Sequence, residues 1–257
     1  MRLIRSFIIA FSTYSRIPMP RINMKKEDMS YALIFFPWIG AVIGVLMYLW
    51  FGLCHKMGIG ITATVFIGAG IPLIITGGFH LDGFMDTMDA VRSFREKEVK
   101  LSIMKDPHVG AFAVISLLLY YILYISFLSE IKDDRQIMVV AVGFMLSRTL
   151  SGLSLCFFRP ARQEGMLYEE ASNTRKDEVK YWLFLTLLIC AVAMIGLNIF
   201  SGLVAFIAAL LWTLIYKRFC IREFGGITGD TSGYFVTVCE LVVLVSVVIC
   251  GFLKIKL

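Results

Sequence analysis

Charged residues are scarce in this sequence. Only 17% of its 257 residues are Asp, Glu, Lys or Arg, whereas 58% are hydrophobic and the mean hydropathy is +0.80. Soluble domains contain about 45–50% apolar residues. This composition therefore excludes an ordinary soluble domain and predicts a protein that crosses a membrane several times.

The sequence also lacks a CxxC pair, a long linker, a low-complexity tract and a convincing internal repeat. Its six cysteines fall mostly within apolar stretches, where a thiol packs as a small apolar group, so we expect no redox or thiolate metal centre. Without a linker, residues 1–257 are predicted to form a single membrane domain. Stretch 1–14 has too short an apolar core for a span and no cleavage site, so we expect no signal peptide.

Seven apolar stretches approach the roughly 20 residues that a helical span needs. They predict an all-α fold, a polytopic transmembrane bundle of about seven helices. The sixth stretch is short, and we expect it to tilt little or to re-enter the membrane. The seven are 33–53, 60–79, 109–129, 137–158, 180–199, 202–216 and 234–253.

A shorter helix is predicted at the amino terminus. Apolar residues between 3 and 11 recur at helical spacing beside Arg2 and Arg5. The pattern favours an interfacial helix on an anionic leaflet, or equally an ordinary packed amphipathic helix.

The distribution of lysine and arginine predicts the orientation. Segments 2–26, 92–105, 159–180 and 217–222 hold nineteen of the 25 basic residues, and the segments on the other side hold five. Because positive charge is retained in short cytoplasmic loops, the amino terminus and these polar segments are predicted on the cytoplasmic side of the cell membrane. Topology thus accounts for the net charge of +6, and we expect the lipid bilayer, and no nucleic acid, as a partner.

Three aspartates follow the second apolar stretch, in "GGFHLDGFMDTMDAV" at 77–91. On a helix, Asp82, Asp86 and Asp89 fall at i, i+4 and i+7 and share one face. Such carboxylates repel one another, and a divalent cation removes the conflict; Mg²⁺ prefers this oxygen ligand set. The alternative is a solvated acidic helix start. His80 is predicted either as a ligand or as an ordinary hydrogen-bonding residue.

A glycine-rich segment, "GGITGDTSGYF" at 225–235, precedes the last stretch. Glycine allows backbone amides to approach an anion, Thr231 or Ser232 can cap the following helix, and a helix amino end favours phosphate. Asp230 would repel that phosphate unless it shares the metal, so we predict it as a further ligand. The alternative is a flexible turn. The candidate phosphate contacts here are Gly226, Thr228, Gly229 and Thr231.

Further candidate substrate contacts lie in two other polar segments. Arg92 and Lys105 are predicted to contact phosphates or to enforce topology. Asp106, before Pro107, is predicted first as the N-cap of the next helix and second as a site residue. Arg162 and Glu164 follow the fourth stretch, where a planar guanidinium can hold phosphate in a bidentate manner.

Two ionisable residues, Arg148 and Glu240, fall within predicted spans. Charges at such depth are costly and usually pair or line a polar cavity. We expect the two to pair with each other, and we also count Arg148 as a candidate substrate contact.

Together these features predict a Mg²⁺-dependent membrane transferase acting on a pyrophosphate-linked substrate. The ordered motifs "TGGFHLDGFMDTMDAV", "LSIMKDPHVGAF", "SR" at 147–148, "ARQEGM" and "GGITGDTSGYFVTVCEL", with "FSTYSRIPMP" near the start, resemble the cobalamin synthase family. The resemblance covers essentially the whole chain. Ala90, Pro107 and Ala111 depart from the family's usual glycine, serine and threonine.

The resemblance implies an adenosylcobinamide-GDP ribazoletransferase, which completes the nucleotide loop of cobalamin. The ribose 3′-hydroxyl of α-ribazole, or of its 5′-phosphate, attacks the cobinamide-side phosphorus and GMP leaves. Arg162, Lys105 and Arg148 would stabilise charge. The metal and catalytic residues would be Asp82, Asp86, Asp89 and Asp230. A homo-oligomer and association with other corrinoid-assembly enzymes are further expectations.

Other classes remain open from the residues alone. CDP-alcohol phosphotransferases also space aspartates by helical turns, but their pattern has an arginine soon after the first DG and a longer aspartate series. Aspartate-rich membrane prenyltransferases are a second alternative. An ion-coupled transporter using the aspartates, Arg148 and Glu240 would place polar residues toward both faces, whereas these cluster on one.

Overall fold

The computed structural model describes residues 2–23, 26–162, 172 and 174–255; Glu164 lies outside them. This part of the chain forms ten α-helices and one 3₁₀ helix, Lys26–Tyr31, without strands, so the all-α prediction is confirmed. The helices are α1 (Arg2–Tyr14), α2 (Ala32–Met57), α3 (Ile61–Thr76), α4 (Phe79–Arg92), α5 (Lys97–Ile103), α6 (Ala111–Leu128), α7 (Asp134–Phe157), α8 (Lys176–Leu197), α9 (Ile199–Phe224) and α10 (Gly229–Ile255).

Six helices, α2 and α6 to α10, are each long and apolar enough to span a membrane. The expectation of a short sixth span is wrong, because α9 continues to Phe224 and has 26 residues. Its end carries exposed basic residues that water can solvate, and it stops at Gly225, whose left-handed φ of 79° forms a normal helix C-cap.

The second predicted span is broken. Helix α3 has 16 residues, about 24 Å at 1.5 Å per residue. Gly77 and Gly78 follow with φ of 62° and 83°, which only glycine adopts without strain, and α4 leaves at 95° to α3. The two helices qualify as a seventh span only as a pair. Helix α4, which carries the acidic residues, is thus not by itself among the helices long and apolar enough to cross a membrane.

Helix α7 forms the centre of the bundle and is buried along most of its length. Helix α2 packs directly on it: a methyl group at Gly40 or Gly44 would collide with the α7 backbone at Phe144 or Ala141. Small residues at such interfaces are typical of membrane helices, which associate through close packing. The outer helices α6, α8 and α9 expose most of their apolar side chains, as helices facing lipid do.

Helix α1 packs one face on the bundle. Ser6, Ile9 and Phe11 are buried, whereas Leu3 and Ile4 are 55% and 66% exposed. The buried face agrees with the packed amphipathic interpretation, and interfacial contact of the exposed end stays a prediction.

The polar segments predicted on one side do meet at one face of the bundle. The Arg16 amide donates to the Ile75 carbonyl at 2.7 Å, at the end of α3. The Ile227 amide donates to the Arg159 carbonyl at 2.9 Å. Lys100 on α5 donates to Glu223 at the end of α9 at 2.6 Å. We refer to this as the site face.

A buried ion pair connects α7 with α10. The Arg148 guanidinium donates from Nη1 to Glu240 Oε1 at 2.6 Å and to the Phe144 carbonyl at 2.9 Å. The two side chains are only 1% and 7% exposed. The predicted pairing is confirmed, and the guanidinium is used inside the bundle, so we leave Arg148 out of the proposed substrate contacts.

Removing one member of this pair should strongly destabilise the protein. Arg148→Met leaves the Glu240 carboxylate without its cation, at a cost of about 3–5 kcal/mol. The double change Arg148→Met with Glu240→Leu should recover most of that loss, as measured by unfolding in mixed detergent micelles. A double variant as unstable as Arg148→Met would contradict this prediction, because the loss of stability would then not come from the unpaired Glu240 carboxylate.

Candidate active site

The acidic residues come together because α4 crosses the first turns of α10 at very close range. A methyl group at Gly83 would lie 2.6 Å from the Asp230 carbonyl oxygen, and one at Gly233 would lie 2.7 Å from the His80 carbonyl oxygen. The Thr237 hydroxyl also donates to the His80 carbonyl at 3.3 Å. Only glycine at both positions allows the two backbones to touch.

Four carboxylates then share one electrostatic environment. Two effects raise the pKa of Asp86 to about 7. The larger is partial burial, and the second is the negative charge of Asp82, Asp230 and Asp89 nearby. The Asp89 carboxylate also lies against Gly110, where a methyl group would collide with it. The structure thus brings together all four predicted metal ligands, and their role as ligands stays a prediction.

The donor set fits a hard divalent cation. Within the described ranges, no three His, Cys, Asp or Glu side chains are already arranged as a metal cage. Mg²⁺ does not require one, since it usually takes one or two carboxylates and completes its shell with water and substrate phosphate. Asp82 is exposed and Asp86 and Asp230 are half-buried, so their oxygens are open to such a shared ion.

Arg162 places a cation at the edge of this acidic cluster. Its guanidinium donates to the Leu101 carbonyl on α5 and lies close enough to Asp230 to interact with its charge. The prediction that Arg162 belongs to the site agrees with this position. Arg92, in the last turn of α4, and Lys105, after α5, are both exposed, and their predicted phosphate contacts stay predictions.

The start of α10 is fixed by a reciprocal cap. The Thr231 amide donates to the Thr228 hydroxyl at 3.1 Å, and the Thr228 amide donates to the Thr231 hydroxyl at 2.8 Å. The helix begins at Gly229, so Thr228 occupies the N-cap position and Thr231 completes the cap from the first turn. The predicted capping role is therefore confirmed for Thr231, in this reciprocal form, and is wrong for Ser232, whose hydroxyl donates to the Thr228 carbonyl. Both threonines are buried, so we leave their hydroxyls out of the proposed substrate contacts.

The two candidate glycines of this segment differ. A methyl group at Gly226 would lie 2.5 Å from the Arg159 carbonyl and 2.7 Å from the Ala161 amide, so this glycine serves the packing of two loops. Gly229 is exposed and has open space around it, beside Asp230. Gly229 therefore remains the candidate for a backbone contact with phosphate. In this structure the segment is held by backbone hydrogen bonds between Ile227 and residues Arg159 and Ala161.

Asp106 does not cap a helix. Helix α6 begins only at Ala111, because Gly110 is packed on the Asp89 carboxylate and the chain before it stays irregular. Asp106 instead accepts from the His108 amide at 2.9 Å and lies 2.7 Å from His108 Nδ1. These bonds hold the pKa of the Asp106 carboxyl below its usual range. The capping prediction is therefore wrong, and a substrate contact at this exposed residue stays a prediction.

A polar cleft of about 610 Å³ opens beside Asp82. Ser12, Thr13 and Arg16 line it from the end of α1, and the Gly77–Gly78 turn lines it from below α4. The Arg16 side chain lies over Gly77, where a methyl group would collide with it. Sequence reasoning counted Arg16 only as a topology charge; its position within "FSTYSRIPMP" was the available signal.

The family model for cobalamin-5-phosphate synthase matches residues 6–248. The chain belongs to this family. The resemblance seen in the sequence is thereby confirmed, and cobalamin-5-phosphate synthase is the family name used below.

Curated relatives within the cobalamin-5-phosphate synthase family agree over nearly their whole length. An adenosylcobinamide-GDP ribazoletransferase of Lachnoclostridium phytofermentans is 38% identical over 251 residues, 97% of this chain and 95% of the relative. Proteins with the same name from Clostridium botulinum and Listeria monocytogenes are 32% and 30% identical; they cover 95% and 89% of this chain, and 97% and 91% of the relatives. No solved structure matches the chain.

Adding a methyl group at the helix crossing should disrupt the site. Gly83→Ala forces α4 away from α10, so we expect a loss of about 1–3 kcal/mol in unfolding free energy, together with loss of turnover. Gly52→Ala is the matched control, since the space around Gly52 is open and alanine favours a helix. Equal stability of the two variants would contradict the close crossing.

The raised pKa of Asp86 predicts a pH-dependent stability. The folded protein retains a proton that the unfolded chain releases near pH 4, so this residue's contribution is most favourable at low pH and declines as the pH rises through about 7. In metal-free buffer, melting curves in detergent should show this decline, and Asp86→Asn should flatten it. An unchanged profile in Asp86→Asn would contradict the shared carboxylate environment, and Asp177→Asn is the control for an exposed carboxylate.

Proposed function

We propose that the protein is an adenosylcobinamide-GDP ribazoletransferase, the activity named for its curated relatives. The observation that carries the proposal is the crossing of α4 and α10. It gathers carboxylates from sequence-distant segments beside a cleft large enough for a diphosphate, in a chain that matches those relatives almost end to end.

The proposed reaction replaces a phosphoanhydride bond by a phosphate ester bond. A ribose hydroxyl oxygen of α-ribazole, or of its 5′-phosphate, forms a bond to the cobinamide-side phosphorus of adenosylcobinamide-GDP. The bond between that phosphorus and the bridging oxygen breaks, and GMP leaves with the oxygen. The hydroxyl proton passes to a base, and the product contains the completed nucleotide loop.

Four carboxylates would hold the Mg²⁺ ion: Asp82, Asp86, Asp89 and Asp230. When bound, the ion neutralises the charge of the diphosphate and of the departing GMP. The protein's own groups would orient the substrates: Arg16 in the polar cleft and Arg162 beside Asp230 attract phosphate oxygens, and the exposed Gly229 at the amino end of α10 offers its amide to them. Positioning of this kind supplies most of the rate in phosphoryl transfer.

We place the site face on the cytoplasmic side of the cell membrane. The support is the excess of lysine and arginine in the segments that form this face, which is the pattern of cytoplasmic loops. An ion-coupled transporter finds no support, since Arg148 and Glu240 neutralise each other in the core. Homo-oligomers and complexes with other corrinoid-assembly enzymes stay predictions.

The proposal is tested with protein purified in detergent. Given adenosylcobinamide-GDP, α-ribazole and Mg²⁺, it should release GMP in step with formation of a cobalamin, and chelation of Mg²⁺ should stop this. Asp82→Asn and Asp86→Asn should each lower turnover on the order of 100-fold or more while the protein stays folded.

Asp177→Asn is the matched control, because this aspartate on α8 is fully exposed to solvent. Turnover close to wild type in Asp82→Asn or Asp86→Asn would remove that residue from the ligand set. Activity on a CDP-alcohol without activity on adenosylcobinamide-GDP would instead assign the protein to the CDP-alcohol phosphotransferase class.

A further inference from the structure

A second, smaller pocket lies on the other side of Phe79 from the polar cleft. Five helices form it, and we refer to it as the ring pocket; its walls include Tyr14, Phe36, Phe79, His80, Ser151 and Gly229. Phe79 borders both spaces, and the exposed Gly229 at its rim precedes Asp230. The ring pocket therefore adjoins the acidic cluster.

The size of the ring pocket suits a ring system and is too small for a corrinoid. The centre of a water molecule can occupy about 50 Å³ of it. Since one water needs roughly 10–15 Å³ of such volume, the space corresponds to about three to five waters, or roughly 100–150 Å³ of liquid. A flat bicyclic base fits a space of this kind.

The walls are mainly carbon, and their polar side chains include those of Ser151, Ser232 and His80. His80 is 6% exposed, and its Nε2 atom is buried without a hydrogen-bond partner among the described residues. The imidazole is held between Phe36 and Phe79, edge to face, at ring distances of 5.5 and 5.4 Å. Its orientation is thus fixed before any ligand arrives.

The substrates of the proposed reaction carry three aromatic bases, and the walls discriminate among them. The adenine of the adenosyl group, like guanine, has several polar edge atoms. Guanine carries several donors and acceptors along its edge, and each one left unpaired in an apolar pocket costs about 1–3 kcal/mol. The benzimidazole-type base of ribazole is hydrocarbon except for its ring nitrogens, of which one is free to accept a hydrogen bond. That single acceptor matches the single unpartnered imidazole nitrogen.

We propose that the ring pocket binds the aromatic base of ribazole, with His80 donating to the free ring nitrogen. The ribose then lies at the Gly229 rim, where its hydroxyl faces the carboxylates, and the diphosphate substrate occupies the polar cleft across Phe79. This assignment rests on the proposed function and adds to it the site of the incoming nucleoside.

The first test fills the pocket. Ser151 lines it from α7 and is 5% exposed, so Ser151→Leu places a larger side chain where the base would lie. We expect α-ribazole to bind the full chain in detergent about tenfold or more weakly, with GMP binding unchanged. Ser151→Ala, which removes the hydroxyl without filling space, should stay within about twofold of wild type.

The second test removes only the hydrogen bond. His80→Phe keeps an aromatic ring between Phe36 and Phe79, so it should fold. Wild-type protein should prefer α-ribazole over the riboside of 5,6-dimethylindole, which lacks the accepting nitrogen, by about tenfold. In His80→Phe this preference should disappear.

Three outcomes would overturn the assignment. One is unchanged α-ribazole affinity in Ser151→Leu, another is a loss of GMP binding in its place, and the third is a preference that persists in His80→Phe. Failure of the wild-type protein to bind α-ribazole or to release GMP would instead refute the proposed function and the ring pocket with it.

Discussion

The contact between the backbones of α4 and α10 is the constraint on which the candidate site depends. Gly83 and Gly233 supply it, because a single methyl group at either position would meet the carbonyl oxygen of the other helix within 2.7 Å. With a side chain at either position the two backbones would have to move apart, which would carry Asp230 away from the aspartates of α4. The geometry of the candidate site therefore depends on having glycine at these two positions.

Charged side chains are stabilised differently in the core of the bundle and at the site face. In the core, charge is cancelled by direct pairing of Arg148 with Glu240. At the site face, negative charge is left in excess, and partial burial together with the neighbouring carboxylates raises the pKa of Asp86 to about 7. A site that binds cations must retain such unpaired charge, whereas a structural pair must not.

Much of this arrangement could be predicted from the sequence. The spacing of the aspartates placed them on one helix face, the basic residues marked one side of the bundle, and two lone charges in apolar stretches predicted a pair. These inferences succeed because they depend on periodicity and on the cost of isolated charge, which are local properties.

Features that depend on tertiary contacts could not be predicted in this way. Thr228 became the cap because its loop is braced by Arg159, and the start of α6 was delayed by the contact of Gly110 with Asp89. By charge alone, Arg16 cannot be distinguished from the other basic residues in the sequence. Its place in the polar cleft depends on the turn at Gly77. The 95° bend likewise required knowledge of where α4 packs.

The buried ion pair also constrains how the chain assembles. A guanidinium at bilayer depth costs about 2.5–3.5 kcal/mol until it is neutralised, and the partner of Arg148 is 92 residues further along the chain. The full free-energy gain from inserting α7 into the membrane is therefore reached only after α10, which carries Glu240, has been synthesised. Helix α10 also carries Asp230. A chain whose translation has not reached α10 therefore lacks both the partner of Arg148 in the core and one carboxylate of the acidic cluster.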